Sequence, residues 1–283
     1  MSCWASVRTL SGVSQQAVPL FLVDSFAERP FTGNPAAVCL LETAADPAWM
    51  QSVAAELNQA ATSFAMPTGR GEYGLRWFTS TTELTLCGHG TLAAAHVLWE
   101  SGESSDSLVF ETQWGRLTAT HEGDRVGMVF PSIPPRETAA PDGLSDTLGG
   151  ADPVWVGRND LDLFVELGSE GEVRSLRPDL DGLRRLDARG VAVTAASVDP
   201  ARSFVSRYFA PSVGILEDHA TGSAHCALGP FWGERLGRTR LIGEQLSPRG
   251  GVVEVRLDRP GEAYLIGRAI TTVRGTLHNG SGG

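Results

Sequence analysis

Two short segments of this 283-residue chain set ionisable side chains beside glycine where a helix is expected to begin. One is Leu86-Cys87-Gly88-His89-Gly90-Thr91-Leu92, the other Asp218-His219-Ala220-Thr221-Gly222-Ser223-Ala224. A helix leaves its first N–H groups unpartnered, and its dipole makes that end positive. Both segments therefore read as anion sites, with Gly88, Gly90, Thr91, Thr221, Gly222 and Ser223 as candidates to hold a substrate carboxylate. His89 lies between two glycines, a poor place for core packing, and an imidazole suits proton handling. Asp218 either caps a helix or works in a cleft, orienting an imidazole or taking an ammonium. His219 beside it is a second acid/base candidate or an exposed side chain. Cys87 has two readings: a thiol whose pKa is lowered by a helix start, or a small buried hydrophobe. Asn34, in Gly33-Asn34-Pro35, lines the cleft or serves turn chemistry alone.

These residues need elements to position them. Phe21–Phe26 and Ala36–Leu41 read as strands, followed by a helix with Asp46 as N-cap and Pro47 in its first turn, ending near Asn58. Thr62–Met66 and Tyr73–Thr79 read as strands, and a helix runs from Cys87-Gly88 to Glu100. Three strands follow, over 107–112, 115–121 and 125–130. Residues 131–153, rich in Pro and Gly, form the best boundary. Strands are then expected over 154–156, 162–167, 190–196, 204–210, 252–257 and 262–268, with helices over 178–187 and 223–236. The stamp Arg76-Trp77-Phe78 before the first glycine turn returns as Arg207-Tyr208-Phe209 before the second. This repeated element order implies a diverged internal duplication, with the cleft between two like lobes. The lobes are expected over 18–130 and 131–261, with a C-terminal strand near 262–275 returning to the first. Residues 1–17 and 276–283 read as flexible ends.

Composition removes several classes of function. A net charge of −10 argues against nucleic acid and anionic membranes as partners. The chain contains no lysine, which excludes a Schiff-base lysine and a P-loop. The four cysteines lack metal-ligand spacing, so no metal is expected. The N-terminus lacks a continuous apolar core of a signal peptide and no run reaches membrane-spanning length, so a reducing cytoplasm is the expected setting. His96, His225 and Cys226 read as core residues, and His121 and His278 as surface ones.

In order along residues 18–275, Asp24-x-Phe26, Arg29-Pro30-Phe31-x-Gly33-Asn34-Pro35-Ala36-Ala37-Val38, Arg76-Trp77-Phe78-Thr79 with Glu83, Leu86-Cys87-Gly88-His89-Gly90-Thr91 and Glu217-Asp218-x-Ala220-Thr221-Gly222-Ser223 resemble the PhzF-like isomerase/epimerase family of phenazine biosynthesis. The resemblance implies an α/β (α+β) fold like that of diaminopimelate epimerase: two pseudo-symmetric lobes, each a curved mixed sheet around a central helix. It also implies a cofactor-free homodimer in bacterial secondary metabolism that isomerises a small unsaturated cyclic amino acid, as in trans-2,3-dihydro-3-hydroxyanthranilate. His89, Asp218 and Ser223 match the family's histidine, aspartate and substrate-binding serine.

The family's proton-carrying glutamate falls in Asn-x-Ser-Glu-Thr-x-Phe, which here is Asn58-Gln59-Ala60-Ala61-Thr62-Ser63-Phe64. Its position is Ala61, and alanine cannot act as a base. His219 stands where the family usually has proline. Proton transfer is therefore expected to fall to His89 or His219 with Asp218 orienting the imidazole, unless an already acidic substrate needs only a weak base. A Cys87/His219 epimerase or racemase, and a non-catalytic binding protein on the same scaffold, are the alternatives.

Overall fold

The computed structural model describes residues 17–278. Apolar runs become strands where one face can be buried, and their pairing follows one scheme twice. In the N-terminal half Ala17–Ser25 lies antiparallel to Asn34–Leu40, which runs parallel to Ala61–Gly69. Glu72–Phe78 joins antiparallel, Ser107–Thr112 runs parallel to it, and Gly115–Glu122 and Arg125–Pro131 complete an antiparallel meander. The C-terminal half repeats these relations in the same order. Its strands are Trp155–Arg158, Asp162–Glu166, Gly190–Ala196, Phe204–Ala210, Arg240–Gln245, Gly251–Arg256 and Glu262–Gly267.

The halves are stitched by exchanged strands. Arg136–Glu137 leaves the first half to pair with Trp155–Arg158, and Ala269–His278 leaves the second to pair with Ala17–Ser25. Arg125–Pro131 pairs directly with Glu262–Gly267. The expected returning strand is thus two strands, only the second of which joins the N-terminal edge. Pairing reaches Ala17 at one end and His278 at the other, which corrects the expected flexible ends at those residues. The rest of those ends, residues 1–16 and 279–283, lie outside the described residues.

Each half packs one helix rich in small residues against its strands, Gly88–Glu100 in the first and Gly222–Leu236 in the second, and the two helices touch. Leu92, Ala93, Ala94 and Ala95 share one apolar cluster with Cys226, Val255 and Leu265, so the core runs across both halves. The helix Pro47–Leu57 begins as read, with Asp46 accepting from the Ala48 N–H, and ends at left-handed Asn58.

Some elements escaped the pattern. Arg240–Gln245 hides its alternation because one inward position is Gly243, where a Cβ would stand 2.5 Å from the Phe204 ring. Ile215–Asp218 is short, and Glu170–Ser175 is a polar helix capped by Ser169. The helix expected over 178–187 contracts to Leu180–Arg185. The boundary stretch holds the short helix Leu144–Thr147.

Candidate active site

The two glycine turns meet. The Cβ position of Gly88 lies 4.0 Å from the Gly222 Cα, and that of Gly222 lies 3.9 Å from the Gly88 Cα. Each turn is set by a strand pair ahead of its helix. Arg76 forks onto Glu83 at 2.7 and 2.8 Å, and Arg207 onto Glu217 at 2.7 and 2.9 Å. Each guanidinium also lies over the phenylalanine two residues on, Phe78 or Phe209. The repeated stamp is therefore a clamp on the strand leading into each turn, and Glu217 is spent in it. Neither helix start is capped by a side-chain hydrogen bond, which leaves helix N–H groups at both turns without that partner.

Asp218 is the centre of the second turn. Its Oδ1 accepts from Asn34 Nδ2 at 2.7 Å and from the His219 N–H at 3.0 Å, and its Oδ2 from Thr221 Oγ1 at 2.5 Å. Gln245 supports the turn, donating to the Asp218 carbonyl and accepting from the Thr221 N–H. Asn34 is fully buried and also donates to the Ala220 carbonyl. It thereby ties the N-terminal half to the Asp218 turn, which is more than turn chemistry. Gly33 makes this possible: its φ is +71°, and a Cβ there would lie 2.2 Å from the Ser25 carbonyl oxygen. Two acceptor-capable atoms of the cluster, Asn34 Oδ1 and His219 Nδ1, are buried without a hydrogen-bond partner among the described residues.

His89 is partly buried in the first turn of its helix, and its carbonyl accepts from Ser25 Oγ. Burial pushes its pKa below the ordinary imidazole value; Asp218 draws it back up and His219 pushes it further down. His219 is also shifted down, first by burial, against the pull of Asp218. Both imidazoles are therefore proton acceptors at neutral pH, with a carboxylate near enough to steady the cation that forms.

Several sequence expectations need correction. Cys87 is 5 % exposed, and burial pushes its thiol up to about 12, so desolvation outweighs the helix start. Its Sγ lies 3.5 Å from His89 Nδ1. Helix register aligns Cys87-Gly88-His89-Gly90-Thr91 with Thr221-Gly222-Ser223-Ala224-His225. The counterpart of Cys87 is thus Thr221, not His219. Thr91 is fully buried and donates to the Cys87 carbonyl, as His225 Nδ1 contacts the Thr221 carbonyl, so neither reaches a ligand. Gly90 faces inward, where a Cβ would stand 2.8 Å from Ser63 Oγ and from Trp77. It is a packing glycine rather than a substrate contact. Ala61 is fully buried at the start of its strand, so no carboxylate enters from there. Ser223 is half-buried, and its Oγ lies 3.2 Å from Arg189 Nη2. The sequence reading missed Arg189, which no motif marks.

A cavity of about 440 Å³ lies elsewhere, lined by His96, Trp99, Glu100, His121, Asp124 and Arg268 among others. Its polar groups answer one another: Arg268 pairs with Asp124, Thr271 donates to Glu100, and His121 lies edge-on to Trp99. The converging histidines and Asp218 carry more chemistry than this cavity. Among the described residues there is no metal-ligand cluster and no helix long and apolar enough to cross a membrane.

A family model described as phenazine biosynthesis-like protein matches residues 23–275. An uncharacterized isomerase of Halalkalibacterium halodurans is 44 % identical over 262 residues, covering 92 % of this chain and 98 % of the relative. A crystal structure of a PhzF-family phenazine biosynthesis protein from Enterococcus faecalis superposes with TM-score 0.88 at 37 % identity, over 93 % of this chain and 100 % of that one. A hydroxyproline epimerase from Agrobacterium vitis shares the fold at TM-score 0.60 and 12 % identity, over 94 % and 93 % of the two chains.

Proposed function

The chain belongs to the family of phenazine biosynthesis-like proteins, whose relatives include isomerases, and from that premise we propose a cofactor-independent proton transfer on a small unsaturated amino acid or carboxylic acid. The observation that carries the proposal is the convergence of His89, His219 and Asp218 at the junction of two uncapped helix starts.

In this reading the substrate carboxylate lies at the Gly222-Ser223 turn and its reacting carbon faces His89. Neutral His89 removes a proton from carbon, and Asp218 stabilises the imidazolium that results. Asn34, Thr221 and the His219 N–H hold the Asp218 carboxylate in place for this role. His89 or His219 returns the proton at a different carbon, which shifts the double bond. The buried methyl of Ala61 leaves this work to imidazoles. Burial of the Cys87 thiolate precursor counts against the thiol-based epimerase.

The test is incubation with trans-2,3-dihydro-3-hydroxyanthranilate in D2O, followed by proton NMR. The native protein should place deuterium on carbon, and His89→Gln and His219→Gln should slow that incorporation. Full turnover by both variants would end the histidine assignment. Tight ligand binding without exchange would instead favour the binding-protein reading, which Ala61 motivates.

A further inference from the structure

We propose that Arg189 is the specificity-determining cation of the cleft, selecting an anionic substrate by orienting the Ser223 hydroxyl and by offering its own outer N–H groups to the same carboxylate. This rests on the proposed reading of the Gly222-Ser223 turn as the carboxylate end of the site.

Arg189 stands immediately before strand Gly190–Ala196, and its backbone is fixed on both sides: its N–H donates to the Leu161 carbonyl at 2.8 Å and its carbonyl accepts from Ser212 Oγ at 2.7 Å. The side chain forks onto Asp162, Nε to Oδ1 at 2.9 Å and Nη2 to Oδ2 at 2.6 Å. Asp162 is 2 % exposed and its Oδ1 also accepts from the Tyr208 hydroxyl at 2.8 Å. The anchor is therefore buried, while the Arg189 side chain as a whole remains about a third exposed.

A guanidinium has five N–H donors in a fixed plane. Asp162 takes one from Nε and one from Nη2, and the second Nη2 donor reaches Ser223 Oγ at 3.2 Å. The two on Nη1 take part in none of these bonds, and the Tyr208 hydroxyl is a further neighbour of the guanidinium. Because Ser223 Oγ accepts from a cation, its own proton is turned away from Arg189 and becomes a better donor. The hydroxyl, the Nη1 donors and the uncapped helix start then form one donor cluster of positive character.

The other half has no counterpart. Asp162 pairs with Gly190 as Ala36 pairs with Ala61, so the positions matching Asp162 and Arg189 are Ala36 and Ala60. The cation is built into one half only. This gives an amino acid a fixed direction in the cleft, with its carboxylate at Arg189 and Ser223 and the rest of the molecule toward Asp218 and His89.

The test compares binding of 2-aminobenzoate, a stable cyclic amino acid, with that of its uncharged analogue 2-aminobenzamide by calorimetry. The ratio of the two dissociation constants cancels general effects on the fold. The native protein should prefer the carboxylate by about tenfold or more, the range of a charge-assisted hydrogen bond. Arg189→Met alone would leave Asp162 buried and unpaired, so the informative variant is the double replacement of Asp162→Asn with Arg189→Met. In it the preference should fall several-fold, leaving only what the helix start and Ser223 supply; Arg189→Lys, which keeps the charge, should retain more of it. An undiminished preference in the double variant, or in an Arg189→Gln variant should the double one not fold, overturns the role of Arg189 and leaves the carboxylate cleft standing. A native protein that binds neither compound, or both equally, overturns the carboxylate cleft and this assignment together.

Discussion

The two glycine turns share a scaffold and differ in what they present. In both, a buried residue in the first helical turn answers the carbonyl of the residue at the helix start, Thr91 to Cys87 and His225 to Thr221. In both, an Arg–Glu fork holds the preceding strand. At the third matched position the halves part: His89 stands opposite Ser223. The first turn offers an imidazole, and the second a hydroxyl backed by Arg189 and a carboxylate, Asp218, set among donors. Duplication thus supplies two equivalent helix starts, and in the proposed reading divergence gives deprotonation of carbon to His89 at the first and carboxylate recognition to Ser223 and Arg189 at the second. A symmetric pair of bases would suit inversion at one carbon; an imidazole facing an anion holder suits moving a proton along a fixed substrate.

The division can be broken most severely at its chemical members. His89→Gln should lower deuterium incorporation by about 10²–10⁴-fold, the usual contribution of a positioned acid/base group. Ser223→Ala should instead act mainly on the Michaelis constant, because the role proposed for it is to hold the carboxylate. Equal effects of the two on turnover, measured under the same steady-state conditions, would erase the proposed division.

The structural clamps are matched in geometry and unequal in burial. Side-chain exposure is 9 % for Arg207 and 17 % for Glu217, against 30 % and 24 % for Arg76 and Glu83. Arg207 also donates to the Val173 and Leu176 carbonyls. Arg207→Met should therefore cost about 3–5 kcal/mol in urea unfolding and Arg76→Met about 1 kcal/mol. Comparable losses would mean that burial does not separate the clamps.

Acid tests the C-terminal helix through His225. Burial pushes its pKa down to about 4 from 6.5. Above 6.5 both folded and unfolded chains hold it neutral. As pH falls below that value the unfolded chain takes up a proton the fold refuses, so stability declines until about pH 4 and then levels off. The loss from this residue is on the order of 3 kcal/mol. His89 and His219, also shifted down, add to the same acid-side decline. Replacing His225 by Gln should flatten the pH dependence of melting, while a Thr91 variant in the other half should leave its slope unchanged.

Smaller effects separate packing glycines from junction glycines. Gly90→Ala must displace both Ser63 and Trp77 and should cost about 1–3 kcal/mol. At Gly222 an added methyl finds Leu265 at 3.6 Å and the Gly88 Cα at 3.9 Å, ordinary contacts. Gly222→Ala should keep thermal stability and weaken ligand binding, since its methyl enters the junction. Cys87→Ser should change turnover least, within about twofold, because a thiol held protonated by burial takes no part in proton transfer. A large loss there would revive the thiol-based reading.

Much of this architecture was legible in the chain. Short apolar runs predicted strand 190–196 and strand 204–210 at their observed bounds, and both strands are buried along almost their whole length, as a strand covered on both faces requires. Asp46-Pro47 and Asn58 marked a helix at both ends through local backbone chemistry. The repeat of Arg76-Trp77-Phe78 at 207–209 pointed to the duplication, and His89 and Asp218 were found as chemistry-bearing residues in glycine turns. Elements whose formation depends on distant partners were missed, such as Arg240–Gln245, which needs Gly243 to clear Phe204.

By itself the sequence determined most of the elements, their duplicated order and the two turns, since those rest on local periodicity and capping. Only the tertiary structure decided the roles within the turns. It buried Cys87 until desolvation overrode the helix dipole, turned Gly90 and Thr91 inward, and brought Asn34 across 184 residues to hold Asp218. It also set Arg189 against Ser223, a pairing no spacing along the chain foretells. The physical reason is that solvation, charge and hydrogen-bond partners are properties of a residue's surroundings in space, and in a chain folded from two interlocked halves those surroundings come from far away in sequence.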